Sequence, residues 1–416
     1  MIGVMKKRFL LFTLTAGLYA QTLTLQECLR QALQNHPDIK AGLLEIRLQN
    51  ARLKTAQSDR LPQVSAYAEY DPQRTYVMPQ NGTFHTLDKE GWSAGVSLRQ
   101  QIFDFSKTAH RIASAKTAEE IARLNYEEAR ALMRYNVRGA YALVAVQAKA
   151  LEARKKDLEA KRAMLKQARA LVANGLKTRA DESRFEAAVR QAEEALALAQ
   201  SAYEKARISL EALIGQKLAK EDRVDRSVLL RVPSQVAFSA SLPVNNYRLQ
   251  AAKAQIRSAE AGYKSARAEH FGSFDLIADA THFDNLTDYD TTLVGVRYAV
   301  PLYSGGRISA KTTEAKLSRL KSMEGYESLR RAINRDYLSV LADLKAADAR
   351  IEAKEAQRVL AQKTLELVEG RYKEGLATYM EVLDAQALKL DAELGLLSAR
   401  YNKYERINRL EYLNGK

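Results

Sequence analysis

Cysteine is nearly absent from this chain of 416 residues: Cys28 is the only one, so no intrachain disulfide framework can form. It lies in the helical pattern Leu25-Gln26-Glu27-Cys28-Leu29-Arg30 and not in a small-residue lipobox. A buried helical thiol is therefore expected, and lipid anchoring through Cys28 is not. Long hydrophobic runs are missing as well. The longest, residues 9–18, falls short of the roughly 20 residues a spanning helix needs. If the mature chain enters a membrane, it must do so as a closed β-barrel. Histidine is sparse, and His36, His85, His110, His270 and His282 show no ligand spacing, so no metal site and no cofactor are expected. No Ser/His/Asp or Cys/His arrangement has local support, so the chain is not expected to be an enzyme. Proline stops after Pro79, returns only at Pro233, and does not occur after Pro301.

What is present begins with a leader. Lys6, Lys7 and Arg8 precede the apolar run, and Ala20 offers a small residue for cleavage, so residues 1–20 read as a secretory signal peptide. The formal charge of +15 becomes +12 once those three cations leave. Mixed-sign helices carry it, which points to solvated faces, and export argues against nucleic acid as a partner. The proline-free stretches are rich in Ala, Leu, Glu, Lys, Arg and Gln, all strong helix formers. Stretches near 103–174 and 305–374 would each rise on the order of 100 Å at 1.5 Å per residue. The expected fold is mainly α with a small β part, built on long coiled-coil hairpins.

The second half repeats the first. A shift of 200 pairs Gly95-Val96 with Gly295-Val296, and residues 173–178 (ANGLKT) with 373–378 (KEGLAT). Nearer the start the shift is 210, matching Asn35 to Asn245 and Lys54 to Lys264. Duplication on this scale organises the whole mature chain. The first repeat spans 21–217, an inter-repeat segment 218–246, and the second repeat 247–416. Hairpin tips are expected near 174–178 and 374–378, at Asn174-Gly175 and Glu374-Gly375, where Gly or Asn stops a helix. Strands are expected at about 63–70, 91–101, 273–283 and 291–301. Trp92, Ala94, Val96 and Leu98 alternate with Ser93, Gly95, Ser97 and Arg99, as Val294, Val296 and Tyr298 do with Gly295 and Arg297. The ten-residue difference in shift falls between the first two strands and predicts a longer first loop. One apolar and one polar face suit a barrel with lipid outside and water inside, and equally a half-buried soluble sheet. Four strands cannot close a barrel, so a membrane role requires several protomers to share one.

The segment 298–311 resembles the TolC-like outer-membrane efflux family. Its strand-to-helix junction shows the family's proline, apolar pair, small residue and Gly-Gly-Arg as Pro301, Leu302-Tyr303, Ser304 and Gly305-Gly306-Arg307. The first-half equivalent, residues 101–106, lacks the proline and the glycines. The opening 23–37 and the segments 372–375 and 381–386 also resemble the family, in the same order. The resemblance implies a homotrimer sharing one twelve-stranded barrel in the outer membrane, continued by helices through the periplasm. It implies work with a periplasmic adaptor and an inner-membrane pump, without cofactor or hydrolysis. By resemblance the adaptor docks beside the tips, and Glu381, Asp384, Asp181 and Tyr372 match positions that shape or hold the periplasmic aperture. Glu381 and Asp384, three apart, share a helix face, and rings of carboxylates draw cations. As ordinary solvated helix charges they need no such role. Ala377 stands where relatives carry a basic residue, for which Arg179 or Arg184 is a candidate substitute. Two rivals remain, an adaptor and a structural coiled coil. An adaptor would carry one hairpin and β-rich flanks; a coiled coil leaves the duplicated strands unexplained.

Overall fold

The computed structural model describes residues 22–80, 82–219, 223–229 and 245–415. The leader 1–20 and much of the inter-repeat segment lie outside the described residues. In chain order the elements are β1 (Thr22–Leu23), α1 (Leu25–Asn35), α2 (Pro37–Ser58), β2 (Gln63–Gln80), β3 (Thr83–Phe103), α3 (Lys107–Ala173) and α4 (Arg179–Ile214). They continue as β4 (Arg223–Val224), α5 (Tyr247–Ala268), β5 (Ser273–Asp284), β6 (Asp288–Ala299), α6 (Arg307–Lys373) and α7 (Tyr379–Leu413). The duplication is visible in lengths alone: α3 and α6 have 67 residues each, and α4 and α7 have 36 and 35. Each 67-residue helix rises about 100 Å. The chain divides into two units. One gathers Met1–His36, Arg134–Val236 and Leu344–Asn408; the other Pro37–Met133, Ala237–Asp343 and Arg409–Lys416.

In the first unit, β1 is tied down by one buried tyrosine. Tyr141, 1% exposed, donates its hydroxyl to the Leu23 carbonyl at 2.7 Å and accepts from the Asp225 N–H at 2.8 Å. It thereby clips β1 to its parallel partner β4. Burial pushes its hydroxyl up to about 12. Cys28 lies fully buried on α1, and burial pushes its thiol up to about 12, so it stays protonated and unreactive.

In the second unit the four long strands form one antiparallel sheet in the order β2-β3-β5-β6. Its register carries the alternation across all four strands. Val64, Leu98, Ala278 and Val294 stand in one row, and Ala66, Val96, Ala280 and Thr292 in the next. This face is bare: Val64, Val96, Val294 and Val296 are 65%, 50%, 71% and 64% exposed. The opposite face is laced by polar contacts. Ser65 pairs with Ser97 at 2.7 Å, Tyr67 with Thr281 at 2.7 Å, and Arg99 with Asp275 at 2.8 Å. Gly95 makes room for the Tyr67 ring, since a Cβ there would meet the Tyr67 hydroxyl at 2.9 Å. β2 and β6 are the edges, each with one side unpaired within the chain.

The first hairpin corrects the expected strand limits. Its strands run on to Gln80 and from Thr83, paired through Gln80 and Thr83, so the extra residues lengthen the strands and not the loop. The reason is local. A bulge between Asp71 and Arg74 and the polar run Asp71-Pro72-Gln73-Arg74 break the period-two signal. Pro72 sits in that bulge, and Pro79 is tolerated because β2 is an edge strand.

The strand-to-helix junctions repeat in backbone though not in sequence. Gly305 and Gly306 adopt φ of 59° and 79°, and their counterparts Phe105 and Ser106 adopt 54° and 68°. Non-glycine residues thus hold the same left-handed pair. Asp104 compensates at the start of α3, its buried carboxylate accepting the Thr108 N–H at 2.6 Å. Phe105 gains ring contacts with Phe103 (4.9 Å) and Phe271 (5.3 Å). In the second repeat Arg307 of the Gly-Gly-Arg motif reaches Glu269 at 3.3 Å, and Pro301 lies just past the end of β6.

Candidate functional site

Both helical hairpins reverse through the same sequence of events. At the end of α3, Gly175 takes φ 71°, its N–H donating to Val172 at 3.0 Å while the Leu176 N–H reaches back to Leu171 at 2.9 Å. At the end of α6, Gly375 takes φ 76°, with bonds to Tyr372 at 3.1 Å and from Leu376 to Arg371 at 2.8 Å. These are Schellman closures, and the left-handed residue in each is glycine because a Cβ there is disfavoured. Asn174 and Glu374 precede them, exposed at the turns.

The next helix starts on a threonine. The Thr178 hydroxyl accepts the Asp181 N–H at 3.3 Å, and the Asp181 carboxylate accepts the Thr178 N–H and hydroxyl at 3.1 and 2.9 Å. Thr378 and Glu381 repeat this at 3.3, 2.6 and 2.9 Å. Asp181 and Glu381 are thus the third-position acids of two capping boxes, a role the spacing Thr-x-x-Asp and Thr-x-x-Glu announces in sequence. Glu381 is held below the usual carboxylate range by the Thr378 N–H and then its hydroxyl. Asp384, three residues on, is exposed and makes no hydrogen bond or ion pair among the described residues.

Tyr372 has a different environment. It is 5% exposed and belongs to an apolar cluster with Leu165, Ala168, Phe185, Val189 and Val382, which draws on both hairpins of this unit. Phe185, fully buried, lies edge-on to Tyr372 at 6.5 Å and to Tyr379 at 6.0 Å. Two cations sit over these rings, Lys177 above Tyr372 at 5.5 Å and Arg184 above Tyr379 at 5.0 Å. Burial, with the Asp181 charge adding, raises the Tyr372 hydroxyl above its ordinary value. Ala377 is buried in the same cluster. The cations over these rings therefore come from the first tip, while Arg371 of the second donates to the Leu376 carbonyl at 3.1 Å. Sequence reasoning passed over Phe185, Tyr379 and Lys177, because their meeting depends on packing one hairpin on the other. Gln386 is buried beyond the cluster, and neither atom of its amide has a partner among the described residues.

No group of His, Cys, Asp and Glu among the described residues is arranged to hold a metal ion. Among the same residues no helix is long and apolar enough to cross a membrane, which leaves the sheet's bare face as the apolar surface to account for.

The sequence matches the family described as outer membrane efflux protein over residues 28–216 and 240–416, one match on each repeat. The chain belongs to that family. It is 25% identical over 399 residues to outer membrane efflux protein BepC of Brucella suis, covering 94% of this chain and 85% of that one. It is 24% identical over 409 residues to outer membrane protein TolC of Vibrio cholerae, covering 94% and 90%. Among solved structures, outer membrane protein VceC of Vibrio cholerae superposes with a TM-score of 0.82 at 19% identity, covering 94% of this chain and 96% of that one. The likeness to VceC establishes the fold: long helical hairpins, internally duplicated, with a four-stranded sheet.

Proposed function

We propose that this chain is the outer-membrane exit duct of a tripartite efflux or type I secretion system, and that it works as a homotrimer. The observation that carries the proposal is the sheet, which has one bare apolar face, one polar face and two open edges. Such a surface is unstable in water and suited to lipid, and the open edges suit pairing with neighbouring copies. Four strands from each of three protomers close a barrel with its polar face inward. The helices continue the path into the periplasm, and the tips at Asn174-Gly175 and Glu374-Gly375 meet a periplasmic adaptor fed by an inner-membrane pump. Family membership supports this plan, as do the names of BepC and TolC. The duct performs no chemistry; cargo moves by diffusion or is pushed by the pump.

At the aperture, Glu381 and Asp384 present carboxylates on the exposed side of α7. In a trimer each forms a ring of three like charges that draws cations. The test is single-channel conductance in a planar bilayer, with the oligomer mass measured alongside. A trimer with discrete, cation-sensitive openings supports the duct, and Glu381→Gln with Asp384→Asn then raises conductance or weakens cation block. A monomer that stays in aqueous buffer and never inserts refutes it.

A further inference from the structure

Where the strands give way to helices, α2, α3, α5 and α6 enclose a groove of about 710 Å³. Its wall carries four cations, Arg52, Lys107, Arg111 and Lys311, against one carboxylate, Glu269. Glu269 is already engaged, bonded to Lys311 at 2.5 Å and Arg307 at 3.3 Å. Those bonds, chiefly that to Lys311 and aided by the charge of Lys107, hold its carboxyl below the usual range. Arg111 is paired with Asp59 at 2.7 Å. Arg52 and Lys107 make no ion pair among the described residues, and Glu269 is already shared by Lys311 and Arg307, so the groove keeps an excess of positive charge. Its floor is open at Gly262, where an added Cβ would meet nothing within 4 Å.

Aromatic residues adjoin the groove along the chain. Lys107 follows Phe105 by two residues, and Glu269 precedes Phe271 by two. The rings of Phe103, Phe105 and Phe271 form a chain of contacts at 4.9 and 5.3 Å, yet they are 51%, 37% and 48% exposed. Aromatic rings exposed at one level of a lipid-facing sheet mark a membrane–water interface. A site with uncompensated cations at that level and bare rings beside it matches one molecule in both parts. A free phosphate would use the cations and leave the rings uncovered. A zwitterionic headgroup would bring a cation of its own into a groove that already has an excess. We infer that this groove binds the phosphodiester of an anionic glycerophospholipid at the periplasmic edge of the barrel, its acyl chains lying along the aromatic cluster. The inference rests on the membrane role proposed above.

The test uses the full-length protein in detergent, with native mass spectrometry counting retained lipid. Phosphatidylglycerol, phosphatidylcholine of the same acyl chains and inorganic phosphate are the probes. Phosphatidylglycerol is expected to be retained in preference, and Arg52→Gln with Lys107→Gln to weaken it about thirtyfold, since each basic group near an anionic lipid contributes about fivefold. Gly262→Leu, which fills the groove and leaves the charges in place, should also release it. Lys40→Gln, on α2 but outside the groove, should change nothing. Equal retention of both lipids, retention by the double variant, or displacement by inorganic phosphate at the same concentration overturns the inference. A channel that conducts as a trimer but shows no lipid preference removes this site alone; a chain that neither inserts nor conducts removes the duct first.

Discussion

Replacing Ser106 with glycine, and separately Phe105, tests whether the first strand-to-helix junction is strained in exchange for its aromatic contacts. Both residues hold left-handed backbone, at φ 68° and 54°. An L-residue gives up about 1–2 kcal/mol there. Glycine removes that strain but makes the unfolded chain freer by about 0.4–1 kcal/mol. Ser106 is exposed and its side chain makes no hydrogen bond among the described residues, so Ser106→Gly should stabilise by roughly 0.5–1 kcal/mol. Phe105→Gly gains the same backbone relief and loses two ring contacts, each about 0.5–1.5 kcal/mol, along with the burial of its ring. Its net effect should be a loss of about 1–3 kcal/mol. The assay is urea unfolding at fixed protein concentration in one detergent, followed by fluorescence of Trp92. That residue is the chain's single tryptophan and lies on β3 of the sheet joined to this turn. The midpoints must move in opposite directions. If both variants shift the same way, or Ser106→Gly lowers the midpoint, the strain argument fails.

Gly272 sits at φ 74° and ψ −156°, a region nearly exclusive to glycine, and a Cβ there would lie 2.1 Å from the Ala299 carbonyl oxygen. Gly272→Ala should therefore cost about 3 kcal/mol or more and lower the urea midpoint followed by Trp92 fluorescence. Phe185→Ala removes the ring between Tyr372 and Tyr379. The expected cost is about 3–5 kcal/mol, seen as faster tryptic cleavage at Lys177, Arg179 and Lys373 while the sheet signal stays unchanged. Thr178→Ala should cost about 1 kcal/mol through loss of the cap, and the same protease assay reports it. Glu381 has a depressed carboxyl in the folded chain, so its contribution is present above the unfolded value of about 4.3 and lost as pH falls through the folded one. Cleavage at the second tip by pepsin, which unlike trypsin is active in acid, should rise on acidification below about pH 4, and this pH dependence should vanish in Glu381→Gln.

The two long helices and both tips were legible because nothing interrupts their pattern: no proline, one stop glycine each, and two halves that check one another. The apolar rows of the sheet were legible for the same reason, since Val64 to Tyr70 and Trp92 to Leu98 alternate strictly. What escaped was set by contacts across the chain. The outer part of the first hairpin has no apolar face, so strand and loop look alike from residue 71 to 90. Glu381 and Asp181 are singled out by resemblance to the family's tip positions, while their bonds to Thr378 and Thr178 are written in the same four-residue spacing. Phe185 gave no local signal at all. A phenylalanine on a helix can face anything, and only the packing of two hairpins puts it between two tyrosines.

The open edges of β2 and β6 also bear on how the protein is made. A lone protomer in hydrocarbon would leave the backbone groups along both edges without partners, each costing several kcal/mol. On the proposed trimeric barrel, insertion and assembly cannot be separate steps, because a protomer has no tolerable resting place inside the bilayer until its neighbours arrive. Before that it travels with a bare sheet and two sticky margins, the profile of a client that needs an escort. Its yield in the cell should depend on local abundance more steeply than that of a barrel closed by one chain.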